Sequence, residues 1–367
     1  MPKKLVIFCD GTWNEPTERG TNVLRMLQAT ANEDNEGNPQ VLHYIAGVGT
    51  RKGEKFIGGV FGRGVSENII DAYSFIVSNY EEDDEIYLFG FSRGAYTARS
   101  LAGFIHNFGI LKPYRLPLVN EMYDLYKASD WTPGSPSAAQ YREANCHPYP
   151  AKIRFLGVWD TVGALGAPYG EFLGYFVDKV FKCSFHDVKL SNSVQSAYHA
   201  VAADERRWPF RLTPIELSEA HLDRNAKNLA DKGFPLYLQK WFPGVHSDVG
   251  GGYSQYGLSD GALAWMAERA RENGLKVLPL ETIEFAPDRP FRTNIAEPIH
   301  NSQKLYYQVL TLITVKILSL VYPWKDRPLR KNVTWKGEYI RPIPPGADVA
   351  AVKEKQAADP KYKPENV

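Results

Sequence analysis

The sequence has 367 residues, enough for one large domain or two modest ones with a buried core. Apolar residues make up 44% of it and charged residues 23%, proportions typical of a soluble globular protein. The net charge is only +1 and no dense basic stripe occurs, which argues against nucleic acid as a partner.

Strand-like apolar runs alternate with helical patterns along the chain. The runs lie at 5–9, 41–48, 85–91, 153–160 and 240–246, and the helical patterns at 65–80, 94–106, 191–204 and 259–273. Strands separated by helices need crossover connections, so the alternation predicts an α/β fold with a mainly parallel central sheet. The runs are almost continuously apolar, which indicates that helices cover both faces of this sheet.

Two regions depart from the alternation. Residues 107–150 contain several prolines among many aromatic residues, and we interpret them as an irregular, lid-like insertion in a catalytic domain of residues 1–275. Residues 276–345 are expected to form an extension that packs on the core or contacts a membrane. Residues 346–367 are polar and proline-containing, and we expect them to be a disordered tail.

Cysteine usage and the N-terminus bear on location. Cys9, Cys146 and Cys183 are too few and too scattered for a disulfide framework or a metal site. The first apolar run, 5–9, is shorter than the about 7–15 apolar residues of a signal peptide. We therefore expect a cytoplasmic protein, with export that does not use a signal peptide as the alternative.

A single serine ends the third apolar run. Gly90-Phe91-Ser92-Arg93-Gly94 matches the pattern G-x-S-x-G between a predicted strand and a predicted helix, which is the context of a nucleophile elbow. The sharp turn needs the small residues Gly90 and Gly94, and it exposes the serine hydroxyl. The sequence therefore predicts Ser92 as a nucleophile, and the alternative is that Ser92 simply caps the helix.

A serine nucleophile needs a histidine base and an orienting carboxylate, expected in the chain order serine, acid, histidine. His246 ends a strand-like run and enters a glycine-rich loop, whereas His199 falls inside a predicted helix. Asp160 ends the run 153–160 and is the predicted acid. His246 is accordingly the predicted base.

Two other carboxylates remain alternatives for the acid. Asp204 ends the predicted helix 191–204 and could instead cap it or pair with Arg206 or Arg207. Asp248 lies two residues after His246 and could instead brace the glycine loop through its backbone.

Acyl transfer also needs hydrogen-bond donors for the oxyanion. The backbone N–H of Arg93, the residue after the nucleophile, is the first predicted donor. Gly11 or Thr12, in the loop that follows the first apolar run, is predicted to supply the second. Asp10 would hold that loop by hydrogen bonds, and an ordinary Asp-Gly turn is the alternative interpretation.

Six blocks of sequence together resemble one known family. They are FCDGTWN (8–14), YIAGVGT (44–50), GFSRGAYTAR (90–99), LGVWDTVG (156–163), AADERR (202–207) and PGVHSDVGGGY (243–253). The family is a bacterial and fungal α/β-hydrolase domain family that includes the class-one type VI secretion phospholipase effectors. The resemblance implies an α/β-hydrolase core with a Ser-Asp-His triad at Ser92, Asp160 and His246. It also implies a lipid ester substrate, and a type VI-like system as the route if the protein is exported. We expect no cofactor and no metal.

The run YYQVLTLITVKILSLVY (306–322) is strongly apolar and has basic residues after it, but it is shorter than the about 20 residues that span a bilayer. Peripheral membrane contact is one interpretation, and a buried helix or pair of strands is the other.

Two functions other than a serine hydrolase remain open. The fold could be a catalytically silent binding module, or Asp10, Asp160, His246 and Asp248 could hold a metal, although no H-x-H or H-E-x-x-H spacing occurs.

Overall fold

The chain is described here from a computed structural model. The structure describes residues 2–11, 20–47, 58–128, 134–148, 150–163, 190–285, 289–309, 311–313 and 332–366. Thr12, Cys183 and most of the apolar run 306–322 lie outside these residues, so the expectations that concern them stay predictions.

A six-stranded parallel sheet forms the centre of the described fold. Its strands are β1 (Lys4–Cys9), β2 (Gln40–Ile45), β3 (Glu85–Phe91), β4 (Lys152–Trp159), β5 (Ala197–Ala202) and β6 (Tyr237–Phe242). Their spatial order is β2-β1-β3-β4-β5-β6, and all five neighbouring pairs are parallel. The carboxyl ends of the strands therefore meet at one edge of the sheet, which is where Ser92, Asp160 and His246 follow β3, β4 and β6.

Helices cover both faces of the sheet. They are α1 (Asn22–Ala29), α2 (Gly58–Asn79), α3 (Arg93–Phe108), α4 (Val119–Lys127), α5 (Pro136–Asn145), α6 (Glu219–Lys232), α7 (His246–Gly250), α8 (Gly257–Glu272) and α9 (Ala350–Ala358). Leu5 and Ile7 of β1 pack in the core cluster under α2 and α3, whereas Val6 and Phe8 pack in the cluster under α1 and α8. Burial of successive residues on opposite faces explains the continuous apolar runs and confirms the predicted α/β class.

The helix predicted over 191–204 is wrong, because residues 197–202 form strand β5. Every residue of this strand is buried, and a short, fully buried run has no periodicity that separates a strand from a helix. His199 therefore lies in the sheet, where its Nε2 accepts from the Thr161 N–H at 3.0 Å and its Nδ1 donates to Gln239 Oε1 at 3.1 Å. Burial lowers the pKa of His199 to about 3, which makes it a neutral core residue.

The segment 107–150 is more regular than expected. It contains a 3-10 helix at Pro113–Leu118 and the helices α4 and α5. Tyr123 of α4 packs edge-on against Phe104 with 5.5 Å between ring centroids, and Arg142 of α5 donates to the Asn107 carbonyl at 2.6 Å. Phe104 lies about 18 Å along the axis of α3 from Ser92. The described part of the segment therefore packs against α3 of the core, and its role as a lid stays a prediction.

The expectation of a disordered tail over 346–367 is wrong for the described residues 346–366. The Trp241 N–H of edge strand β6 donates to the Asp348 carbonyl at 2.8 Å. Val352 of α9 is fully buried in a cluster with Trp241 and Val201. The few apolar residues in this charged segment cover the outer edge of the sheet, and their number is too small to show in the composition.

Candidate active site

Ser92 stands in a strained turn between β3 and α3. Its backbone has φ 59° and ψ −120°, a conformation that non-glycine residues rarely adopt. Its side chain makes no capping hydrogen bond, so the capping alternative does not describe this structure. A Cβ on Gly90 would lie 2.4 Å from the Gly94 carbonyl oxygen, and a Cβ on Gly94 would lie 2.0 Å from the Cys9 carbonyl oxygen. The turn therefore requires glycine at both flanking positions.

The predicted acid and base are in contact. His246 Nδ1 donates to Asp160 Oδ2 at 2.5 Å, and both side chains are almost fully buried. The Ala202 N–H donates to Asp160 Oδ1 at 3.0 Å, which holds the carboxylate from the end of β5. The imidazole lies between the rings of Phe91 and Phe210, with 4.5 and 5.0 Å between centroids. Because Phe91 precedes Ser92, the same contact brings the histidine beside the strained turn.

The ionisation of this pair follows from burial and neighbouring charge. Burial lowers the pKa of His246 below 6.5, although the hydrogen bond to Asp160 and its charge partly raise it. Burial alone would raise the pKa of Asp160, but the charges and hydrogen bonds of Arg341 and His246 outweigh it and lower this pKa. At neutral pH the pair is therefore a carboxylate and a neutral imidazole, which is the protonation state of a general base.

This pKa shift sets an expected pH dependence. A histidine base works only when it is neutral, so kcat/KM should fall on the acid side as the pH drops through the lowered pKa of His246. We expect the half-maximal value at a pH below 6.5. A pH-stat assay with an uncharged ester, from about pH 4 to 9, measures it. A midpoint at or above the ordinary histidine value would contradict this expectation.

Glu205 holds the backbone of His246, and the sequence analysis did not predict it as a site residue. One of its carboxylate oxygens accepts from the His246 backbone N–H at 3.2 Å and from Arg207 Nη2 at 2.7 Å. The Arg207 guanidinium in turn lies 3.5 Å from the centre of the Phe210 ring, which packs on His246. Glu205 and Arg207 belong to the AADERR block (202–207), which was the sequence feature that could have indicated a role for them in the site.

Asp204 and Asp248, the alternative acids, bind elsewhere. Asp204 follows β5 rather than a helix, and its Oδ2 accepts from the Gly244 N–H at 2.7 Å and from Tyr362 Oη at 2.9 Å. Asp248 Oδ2 accepts from the Val245 N–H at 2.9 Å, which braces the glycine loop as the alternative interpretation expects. Its Oδ1 accepts from His300 Nδ1 at 2.6 Å, so a second carboxylate-bound histidine lies near the first.

Asp10, the first residue after β1, binds three neighbouring groups through its carboxylate. Its Oδ2 accepts from Thr21 Oγ1 at 2.7 Å and from Tyr44 Oη at 2.8 Å. Its Oδ1 accepts from the Gly11 N–H at 2.6 Å. The Gly11 amide, expected to face the oxyanion, is therefore bound to Asp10 in this structure.

Within the described ranges, no three His, Cys, Asp or Glu side chains are grouped to hold a metal ion. The helices of those ranges include none with the length and apolar character to cross a bilayer. Helical residues near 305–313 nevertheless expose Leu305, Val309 and Ile313, and Tyr307 among them contacts Phe210 with 6.4 Å between ring centroids.

A parallel sheet with a serine in a strained strand-to-helix turn, and a buried histidine–carboxylate pair at the same edge, places the chain in the α/β-hydrolase class. Residues 3–269 match the sequence model of the T6SS phospholipase effector Tle1-like catalytic domain, and the chain belongs to that family. The family is one of phospholipase effectors, which supports a lipid ester hydrolase in general terms.

The individual proteins that the chain resembles share less than 30% of its residues over the aligned regions. The chain is 28% identical over 233 residues to the uncharacterized protein YEL023C of Saccharomyces cerevisiae, covering 57% of this chain and 32% of that one. A crystal structure of an uncharacterized protein from Pseudomonas aeruginosa has 17% identity and a TM-score of 0.48, over 89% of this chain and 55% of that one. The Tle1 effector bound to the VgrG spike has 18% identity and a TM-score of 0.40, over 69% and 52%. The chain thus spans about a third of the yeast relative and about half of each solved structure.

Proposed function

We propose that this chain is a serine hydrolase that cleaves acyl esters of lipids, with Ser92 as nucleophile, His246 as base and Asp160 as the orienting acid. The observation that carries the proposal is the buried 2.5 Å contact between His246 Nδ1 and Asp160 beside the strained Ser92 turn. Membership of a phospholipase effector family supports a lipid as the source of the ester.

In the proposed reaction, Asp160 holds the proton on Nδ1 of His246, so that Nε2 accepts the proton of the Ser92 hydroxyl. Ser92 Oγ forms a bond to the ester carbonyl carbon. The alcohol then leaves with the proton that His246 returns, and an acyl-enzyme remains. Water attacks the acyl-enzyme with His246 again as base, which releases the fatty acid and restores Ser92.

The oxyanion is assigned to the backbone N–H of Arg93 and to a second donor in the loop after β1. For the Gly11 amide to be that donor, it would have to break its hydrogen bond to Asp10 Oδ1 and donate to the oxyanion instead. Thr12 is the other candidate. The rings of Phe91 and Phe210 shield the imidazole, which strengthens its electrostatic interactions.

Peripheral contact with a membrane is part of the same proposal. Leu305 and Val309, in the helical residues 305–309, and Ile313, in the helical residues 311–313, are about half exposed or more, and such a group of exposed apolar side chains is uncommon on a protein surface. Tyr307, on the same segment, packs on Phe210 beside His246. Insertion of these side chains into a lipid interface would bring an acyl ester to the edge of the sheet where Ser92 lies.

The products formed from phospholipid vesicles test the proposal. The purified protein should release free fatty acid and lysophospholipid from vesicles of phosphatidylcholine and phosphatidylethanolamine, identified by mass spectrometry. The same release is expected in EDTA, because the mechanism uses no metal. Release of a phosphorylated headgroup, or activity lost in EDTA and regained with metal, would contradict it. Vesicle binding without acyl release would favour the silent binding module.

A further inference from the structure

Arg341 occupies the far side of the Asp160 carboxylate and is 1% exposed. Its Nη1 lies 2.5 Å from Asp160 Oδ1 and its Nη2 lies 3.0 Å from Asp160 Oδ2, a two-pronged contact with both oxygens. The same nitrogens donate to the carbonyls of Ala202, at 2.9 Å, and Phe210, at 2.5 Å. The guanidinium thus binds the acid and two backbone segments that flank it.

Arg341 reaches this position from outside the family match, which ends at residue 269. Backbone contacts hold its segment in place. The Tyr339 N–H donates to the Arg206 carbonyl at 2.9 Å, and the Tyr339 ring lies edge-on to Trp208 with 5.3 Å between centroids. Asn366 Nδ2 donates to the Arg341 carbonyl at 2.9 Å. The backbone that carries Arg341 is therefore anchored at Tyr339 and at Arg341 itself.

This arrangement has two physical consequences. A planar guanidinium that binds both carboxylate oxygens fixes the plane of the carboxylate, and Oδ2 is thereby directed at Nδ1 of His246. The positive charge also offsets the negative charge of Asp160, which weakens the electrostatic support that Asp160 gives to a protonated His246. Asp160 is therefore shared between two side chains, the neutral imidazole of His246 and the charged guanidinium of Arg341.

We propose that Arg341 is a positioning residue for the hydrolytic reaction, which acts through Asp160 to aim His246 and to keep it neutral. The inference rests on the proposed function, because it takes Ser92, His246 and Asp160 as the reacting set. It makes the C-terminal segment 332–366 an integral part of the site rather than an appendage. The charged groups that act on His246 are Asp160, Glu205 and Arg207. Arg341 binds the far end of this set through Asp160, and Asp248, which pairs with His300, lies on the helix that begins at His246.

Two substitutions of Arg341 distinguish the effect of its positive charge from the effect of its two-pronged contact with Asp160. Arg341→Gln removes the charge, so the acid limb of the kcat/KM profile should move up by about one pH unit and kcat should fall about 10- to 100-fold. Arg341→Lys keeps the charge but cannot bind both oxygens in a fork, so the limb should stay in place while kcat falls about tenfold. Arg206→Gln is the matched control, since Arg206 is partly exposed and pairs with Glu338 and Glu365.

A folded Arg341→Gln protein with the wild-type limb and kcat would overturn the inference. Removal of the charge leaves Asp160 buried without its partner, so this variant could fail to fold. In that event Arg341→Lys decides, because wild-type kcat in that variant would show that the two-pronged contact does not matter to the reaction. Circular dichroism and thermal melting of each variant establish which case applies.

An NMR titration of the His246 imidazole separates failure of this inference from failure of the proposed function. If Arg341→Gln, or Arg341→Lys where the glutamine variant does not fold, alters the Nδ1 proton or the titration of His246 while no protein hydrolyses esters, the proposed function has failed and the coupling stands. If the wild type hydrolyses esters but the Nδ1 proton, the titration of His246 and kcat are all unchanged in the folded variants, Arg341 has no positioning role.

Discussion

Replacing His246 by glutamine should lower kcat for ester hydrolysis by about 10⁴- to 10⁶-fold, because a serine hydroxyl without its base is a poor nucleophile. Glutamine is close to histidine in size and keeps a hydrogen-bond donor for Asp160, so the buried carboxylate retains a partner. The effect should therefore appear in kcat with little change in thermal stability. Initial rates with a soluble p-nitrophenyl ester, alongside a melting curve, measure it.

His300→Gln is the matched control for that experiment. His300 also binds a carboxylate through Nδ1, at 2.6 Å from Asp248, and it stacks on Tyr253 with 4.0 Å between ring centroids. It is one-quarter exposed at the side chain, in contrast to the buried His246. We expect its substitution to change kcat less than about tenfold. A loss in His300→Gln that equals the loss in His246→Gln would mean that the base has been assigned to the wrong histidine.

Gly94→Ala should cost the most stability of any single methyl added near the site. The new Cβ would lie 2.0 Å from the carbonyl oxygen of Cys9, the last residue of β1, and 2.5 Å from that of Asp10, which follows it. Neither α3 nor β1 can move without disturbing the buried sheet. We expect the free energy of unfolding to fall by about 3 kcal/mol or more, or the protein not to fold. Urea denaturation followed by circular dichroism measures the change.

Gly261→Ala serves as the control for this substitution. Gly261 lies inside helix α8, and a Cβ there would meet no atom within 4 Å. Alanine favours a helix interior over glycine, so this variant should gain about 0.5–1 kcal/mol. Equal unfolding free energies for the two variants would show that the close approach of α3 to the loop after β1 is not real.

Local patterns were enough to predict the parts of the site that depend on one turn or one strand end. The G-x-S-x-G pattern between an apolar run and a helix predicted the turn at Ser92, because a sharp strand-to-helix turn leaves no room for a side chain at either flanking position. Asp160 and His246 were chosen because residues that follow parallel strands share one edge of the sheet. The structure brings these two side chains together, and their catalytic roles stay proposals.

The remaining features depend on tertiary contacts that no local pattern reports. Strand β5 was predicted as a helix because its residues are buried on both faces and lack a distinguishing period. Arg341 is 181 residues from Asp160 in the chain, and nothing around it in the sequence marks an arginine that is destined for the core. The segment after residue 346 was expected to be disordered because its few apolar residues are diluted by charge, yet they cover the edge of β6.

The most direct test of the account is to locate the covalent adduct of a fluorophosphonate probe by peptide mass spectrometry. The probe reacts only with a serine that its base has activated, so it reports nucleophile and base together without a choice of substrate. We expect one adduct in the wild type, on Ser92, and none in the folded Ser92→Ala protein. Labelling of another residue, equal labelling of Ser92→Ala, or a folded wild type that takes no adduct would contradict the assignment of Ser92 as the nucleophile.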